Sequence, residues 1–402
     1  MDPLEAHTLD ASEGRRSMGA FLVSGMLVSF LGAILPAWRY HLRADFREVG
    51  AYFLSLNLGF LLSAGAAHFL LPRKGVKFVL ILASGVACGG FLCLALSSLP
   101  VSPIWRLPAV LAIGVSAGLL NAGLFQTISP LYRHDRAATL NVAGAMFGLG
   151  CLITALLVAG TYFVYNVPSI LILFALLPGF YAGIWAKAKI SQDPVMHQLP
   201  ISQVLRDFRN PGAILFSLVL FFQFGNEWSM AGWLPLFLIR RLGISPATSL
   251  LMLALFWAAL LVGRIASQVV LKRMNHGLLM LVSIVSALLG TVVLASTNNG
   301  FGAVMGILFV GAGFASIYPL VVEKIANRFP YYHPGFYNGI FSLGITGGLL
   351  APWILGYVAQ AWGIRAVMIV PMLGTIMVFV LVLSIMLEAK LSGLAEVKRE
   401  ST

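Results

Sequence analysis

Charge is what this sequence has least of. Asp, Glu, Lys and Arg make up only 10% of its 402 residues, against about a quarter in a soluble domain. Hydrophobic residues make up 59%. A water-soluble chain of this length has no interior able to hide so much apolar surface, so most of its area must face lipid. Acids are scarcer than bases, 14 against 26, leaving a net charge of +12. No basic run stands apart as a nucleic-acid footprint, because the Lys and Arg fall in short segments between apolar stretches; no nucleic-acid partner is expected. The three cysteines are Cys88, Cys93 and Cys151. Their odd count and their place inside apolar stretches exclude a disulfide framework and leave them as small packing residues. A nucleotide-binding glycine loop, a zinc-ligand spacing and a nucleophile elbow are all missing, so no enzyme, cofactor or metal site is expected. No signal peptide is expected: the leader 1–16 carries Asp2, Glu5, Asp10 and Glu13, and the apolar stretch after it lacks a clear small-residue cleavage site and reads as a retained first span.

What is present is a series of apolar stretches, each long enough to cross a bilayer core of about 30 Å as a helix. They fall at 17–40, 48–72, 76–99, 105–131, 137–161, 167–186, 212–238, 247–270, 277–297, 302–323, 335–360 and 365–388. Pro, Gly and charge mark the breaks, among them Pro72–Arg73, Pro100–Pro103, Asn166–Pro168 and Pro330–Pro334. The pattern predicts an all-α membrane protein of twelve spans (numbered here in chain order), six and six. A leader 1–16 precedes the first half, 17–186. A linker 187–211 joins it to the second half, 212–388, and a tail 389–402 follows. With the N-terminus inside, eighteen Lys and Arg fall on the inner side and seven on the outer, a bias that puts both termini in the cytoplasm.

The halves read as a duplication. Pro36 in "GAILP" matches Pro235 in "AGWLP", Gly65 matches Gly263, and Arg133 matches Arg328, at offsets of 199, 198 and 195. "FGLG" at 147–150 is echoed by "FSLG" at 341–344. Matches at nearly constant offset indicate two parallel six-helix repeats, and the small residues among them suit close helix packing in lipid.

This organisation resembles the major facilitator superfamily along essentially the whole chain. The superfamily's loop between its second and third helices is kept in part: "FLLPRKGVK" (69–77) retains Arg73, Gly75 and Lys77, with Pro72 where the family has an acid. In the second half, "FGNEWSMAGWLPLFLIRRLGIS" (224–245), "LFWAALLVGR" (255–264) and "GAGFASIYPLVVEKIANRFP" (311–330) resemble the fucose permease and sodium-dependent glucose transporter branch. The resemblance implies a secondary transporter that moves a sugar or related small polar metabolite by alternating access, either facilitatively or with protons or sodium. It also implies a gating role for Arg73, and a substrate cavity lined by spans 1, 4, 7 and 10. Those symporters carry acids in spans 1 and 4; here span 1 has none, and span 4 offers Asn121 and Gln126.

Of the 14 acids only Glu227 lies well inside a span. A charge at the bilayer centre costs about 2.5–3.5 kcal/mol on insertion scales, so such a residue faces a polar cavity or a partner. It can exchange a proton, ligate a cation or accept hydrogen bonds from hydroxyls; alternatively it bonds another helix. Gln223 shares its face at i, i+4, and Asn226 lies between them beside Gly225. Amides and carboxylates offer paired donors and acceptors that match vicinal hydroxyls. Trp257 and Tyr318 are candidates for packing on a sugar's apolar face, while Trp105, Trp362 and in part Trp233 suit an interfacial belt. Arg264, in span 8, needs an acceptor. Glu323 at the inner end of span 10 is the expected one, the two forming an inner gate. Asn57, Asn141 and Asn338 read as packing or helix-end residues, and His68 as an isolated packed one. Asp45 and Glu48, with Arg39, His41, Arg43 and Arg47, read as solvated loop charge.

The candidate substrate-binding residues are therefore Asn121, Gln126, Gln223, Asn226, Glu227, Trp257 and Tyr318. Glu227 is also the candidate for coupling, and Arg73, Arg264 and Glu323 for gating. The chain is expected to act as a monomer among membrane lipid, in a bacterial inner membrane. The competing reading is a proton-driven exporter of amphipathic compounds, for which Glu227 would also serve; a non-transporting sensor on the same fold is a third.

Overall fold

A computed structural model of the chain describes residues 3–42, 45–97, 102–128, 136–188, 190, 210–329 and 334–400. Helix is the only regular structure among them. In order these are α1 (Pro3–Ile34), α2 (Phe46–Leu96), α3 (Arg106–Thr127), α4 (Arg136–Thr161), α5 (Val167–Lys187) and α6 (Pro211–Leu242). Then come α7 (Pro246–Val270), α8 (His276–Ser296), α9 (Gly300–Arg328), α10 (Pro334–Trp362) and α11 (Ile369–Glu400). Short 3-10 turns occupy Pro103–Trp105 and Ile364–Met368.

Eleven of these helices are long and apolar enough to cross a membrane, and they hold twelve spans. The 51 residues of α2 would reach about 76 Å if straight, more than twice a bilayer core. The chain turns at Gly75, whose φ of 79° and ψ of 166° leave the helical region. A side chain tolerates that conformation poorly, and glycine does not have one. Pro72, three residues earlier, has no N–H to give the helix ladder. The "PRKG" sequence thus separates spans 2 and 3 almost without a loop. Elsewhere asparagines start the helices: Asn166, Asn275 and Asn299 accept the N–H groups of Ser169, Leu278 and Gly302 at 3.0, 2.7 and 2.7 Å, satisfying donors that an open helix end leaves bare.

By contact density the chain forms two compact units. One comprises residues 1–196 with 234–261, the other 197–233 with 262–402. Within each, glycines let helices touch backbone to backbone. In the first unit a side-chain carbon on Gly150 would overlap the Leu22 carbonyl; in the second, one on Gly347 would overlap the Phe221 carbonyl. These are the same contact in the two repeats, at offsets of 197 and 199. Gly90 against Ile113 and Gly290 against Val310 repeat another. The duplication is thus visible in packing, with Gly150 equivalent to Gly347 and not, as the FGLG/FSLG echo suggests, to Gly344.

Two expectations change at the ends of the first span. The polar leader is helical from Pro3, continuous with α1. Helix α1 stops at Ile34, and residues 35–42 form turns in which Arg39 has a φ of 63°. Trp38 and Tyr40 in this segment are buried, at 3% and 2% exposure.

Candidate functional site

The second unit collects the polar side chains that the sequence singles out. Gln223 and Glu227 lie one turn apart on α6, at 0% and 4% exposure. From α7, Arg264 places Nη2 3.8 Å from Glu227 Oε1. From α9, Tyr318 lies within electrostatic reach of both Glu227 and Arg264, and its ring packs at 5.3 Å against Phe224. Helix α7 can come this close because Gly263, next to Arg264, rests on Ala312 and Ala315 of α9, with only 2.7 Å to the Ala315 Cβ for any carbon added there.

Polar atoms at this cluster are left over. Oε2 of Glu227 and Nε of Arg264 are buried and have no partner in hydrogen-bonding geometry, and the buried amide of Gln223 has none besides the Glu227 carboxyl beside it. The charged pair is close enough to attract but too far apart to be hydrogen-bonded. Leaving such groups unmade costs about 1–3 kcal/mol each, so each calls for a partner.

Not every candidate belongs here. Asn226, one residue from Glu227, is turned toward α11: its Nδ2 donates to Thr375 Oγ1 at 3.3 Å, and the missing side chain of Gly374 makes room for it. Gly225 does not loosen the helix; α6 is continuous there and Gly225 faces Gly347 and Ala351 of α10. Arg264 does not pair with Glu323, which instead stands 2.7 Å from His276 Nε2. The reason is axial position. Gly263 sits level with Ala312 and Ala315, and Glu323 is eight residues beyond Ala315, about 12 Å further along α9.

In the first unit, Asn121 of α3 accepts a hydrogen bond from Ser24 Oγ of α1 at 2.8 Å, and Gln126 is half-buried one turn further on. Trp257 is buried on α7 and packs edge-on against Phe256 at 5.3 Å. Arg73 is exposed and lays its guanidinium over the Phe69 ring at 3.5 Å, just before the Gly75 break. Trp233 is no belt residue: it is fully buried and donates Nε1–H to the Pro352 carbonyl at 2.9 Å. Trp105 and Trp362 are exposed. His68 is exposed as well, not packed. Arg43, Arg133 and the side chains of Asn141 and Asn338 lie outside the described residues.

Sequence reasoning misses a cluster at the end of the first unit where α1 gives way to α2. Glu48 is not a solvated charge. Its Oε1 accepts from Tyr40 Oη and, at 2.8 Å, from Tyr52 Oη, and the two hydroxyls are 3.0 Å apart. Burial, with Tyr52 and Glu48 adjoining, pushes the Tyr40 hydroxyl well above its ordinary range. Arg106 stacks over Trp38 alongside, at 5.0 Å. The available signal was the i, i+4 spacing of Glu48 and Tyr52, which sets both on one face of α2.

Twelve apolar spans, with a buried polar cluster among them, define an integral, multi-pass, all-helical membrane protein. Residues 17–348 match the family description of the Major Facilitator Superfamily, and the chain belongs to that family. An MFS-type transporter of Yersinia pestis is 22% identical over 347 residues, covering 85% of this chain and 87% of its own. The D-galactonate transporter of Escherichia coli is 30% identical over 147 residues, 34% of each chain. Two crystal structures share the fold. One, a point variant of the nucleoside transporter NupG, has a TM-score of 0.71 at 17% identity, covering 94% of this chain and 99% of that one. The other, a D-xylose-proton symporter, has a TM-score of 0.73 at 11% identity, covering 91% and 96%.

Proposed function

We propose that this protein moves a sugar or related small polar metabolite across the membrane by alternating access between its halves, 17–186 and 212–388, joined through 187–211. The observation that carries this reading is the set of buried polar atoms on Gln223, Glu227 and Arg264 that the protein leaves incompletely partnered. A polyhydroxylated ligand supplies both donors and acceptors, and its hydroxyls complete such a set better than an amphipathic compound does. Tyr318 offers an apolar face beside it. The names of the structurally similar proteins, which concern nucleosides and xylose, point to the same chemistry.

Glu227 is the residue at which a proton or sodium ion couples to the substrate, because it is the carboxyl that sits among those incompletely partnered atoms. Asn121 and Gln126 contribute polar contacts from the first half, and Trp257 an aromatic one. Asn226 holds α6 against α11. Arg73 and the His276–Glu323 pair act at the inner ends of the helices, and Arg264 acts beside the substrate. The protein works as a monomer in a bacterial inner membrane with both termini in the cytoplasm. A panel of monosaccharides, polyols and nucleosides, screened for thermal stabilisation of the purified protein, tests the substrate class. Stabilisation by one of them is expected; stabilisation only by amphipathic drugs would replace this reading with that of an exporter.

A further inference from the structure

Building on the sugar reading, we infer that the Glu227–Arg264 pair sets the charge the transporter accepts: with no coupling cation on Glu227, the binding site takes a neutral polyhydroxylated molecule and rejects the corresponding acid. The two residues lie 3.8 Å apart on neighbouring helices, and both side chains are largely buried, at 6% exposure for Glu227 and 22% for Arg264. Gln223 and Tyr318, which complete the cluster, are uncharged in their ordinary states. With Glu227 ionised and no coupling cation bound, the site therefore sums to zero.

A neutral ligand keeps that balance. Its hydroxyls meet the amide of Gln223, the free oxygen of Glu227 and the free Nε of Arg264, and no charge is added to a region of low dielectric. A sugar acid adds one negative charge beside the Glu227 carboxylate. It gains Arg264 only by competing with a carboxylate already held there, and the excess charge remains uncompensated, which is costly away from water. Selection against the acid thus comes from repulsion built into the site as well as from attraction to the neutral form. The same arrangement makes the selection reversible: with Glu227 neutralised, Arg264 is a buried, unpaired cation and becomes a carboxylate receptor.

The test is binding of matched pairs (galactose with galactonate, glucose with gluconate, a nucleoside with its monophosphate) measured by titration of the purified protein. In the wild type the neutral member of one pair is expected to bind, and its acid to bind about tenfold more weakly or worse. Glu227→Gln is expected to invert the order, with the acid gaining about tenfold or more. The double variant Glu227→Gln/Arg264→Met, which again sums to zero, is expected to lose that gain and so separates charge from packing damage. Wild-type protein that binds the acid as well as the neutral member overturns the charge rule and leaves the sugar reading standing. A Glu227→Gln protein that retains its fold, keeps neutral binding and gains nothing for the acid also overturns it. Failure of every neutral member and every acid to bind the wild type removes the sugar reading itself, and the charge rule with it.

Discussion

Arg264 and Glu227 stand 3.8 Å apart on α7 and α6, close enough to neutralise one another and too far apart to be hydrogen-bonded. A buried charge left without its partner is strongly destabilising. Arg264→Gln is expected to lower the stability of the detergent-solubilised protein by about 3 kcal/mol, measured as a shift in thermal unfolding. Adding Glu227→Gln to it should recover much of that loss. Equal stability of the single variant and the wild type would show that water already compensates the carboxylate.

Gln223 and Asn226 are three residues apart and do different work. Gln223 has no partner besides the Glu227 carboxyl on its own helix, whereas Asn226 is bonded to Thr375 of α11. Asn226→Ala is expected to cost about 1 kcal/mol of stability with little change in KM for uptake. Gln223→Leu, of similar size, is expected to leave stability near that of the wild type and raise KM about tenfold, the equivalent of one hydrogen-bonded contact. The opposite assignment of effects would move the substrate face of α6 to the side that meets α11.

Much of this architecture was legible in the sequence. Runs of about 20 apolar residues can only be spans, and proline, glycine and charge marked their ends. Gly75 was read as loop signature, and it is where α2 turns. Glu227 stood out because an acid inside a span needs a reason. The partner of Arg264 was not legible. Sequence gives the height of a residue on its own helix but not the axial offset between helices, which here is set by Gly263 resting on Ala312 and Ala315. Asn226 was misjudged for a related reason: at about 100° per residue, it leaves the face of Glu227, and only the position of Gly374 reveals where it goes. The Tyr40–Glu48–Tyr52 cluster hid in a segment that reads as charged loop.

Glycines at the helix crossings should be sensitive in proportion to what they touch. Gly150→Val and Gly347→Val place carbons on the Leu22 and Phe221 carbonyls. Each is expected to cost at least about 2–3 kcal/mol and to reduce the yield of folded protein. Gly183→Ala, where nothing lies within 4 Å, is expected to be neutral or to gain up to about 1 kcal/mol from helix propensity. Size-exclusion profiles and thermal unfolding of the three variants check this ordering.

The Tyr40–Glu48–Tyr52 cluster gives a stability dependence on alkaline pH. Tyr40→Phe removes one of the two hydroxyls bonded to Glu48 and is expected to cost about 2 kcal/mol. The Tyr40 hydroxyl is raised on folding, so the folded state holds that proton more tightly than the unfolded one. Its contribution is complete below the unfolded tyrosine value of about 10 and is lost as pH rises beyond it. The difference between wild type and Tyr40→Phe should therefore shrink above about pH 10; a difference that grows there would contradict the assignment.

The most direct measurement is uptake of a labelled panel of sugars, polyols and nucleosides into proteoliposomes, each with and without an inward proton or sodium gradient, in wild type and Glu227→Gln. Uptake of one neutral member that a gradient stimulates, with the stimulation lost in Glu227→Gln, is the expected result and establishes Glu227 as the coupling residue. Failure to take up any member of the panel, together with gradient-driven extrusion of amphipathic dyes, would contradict it.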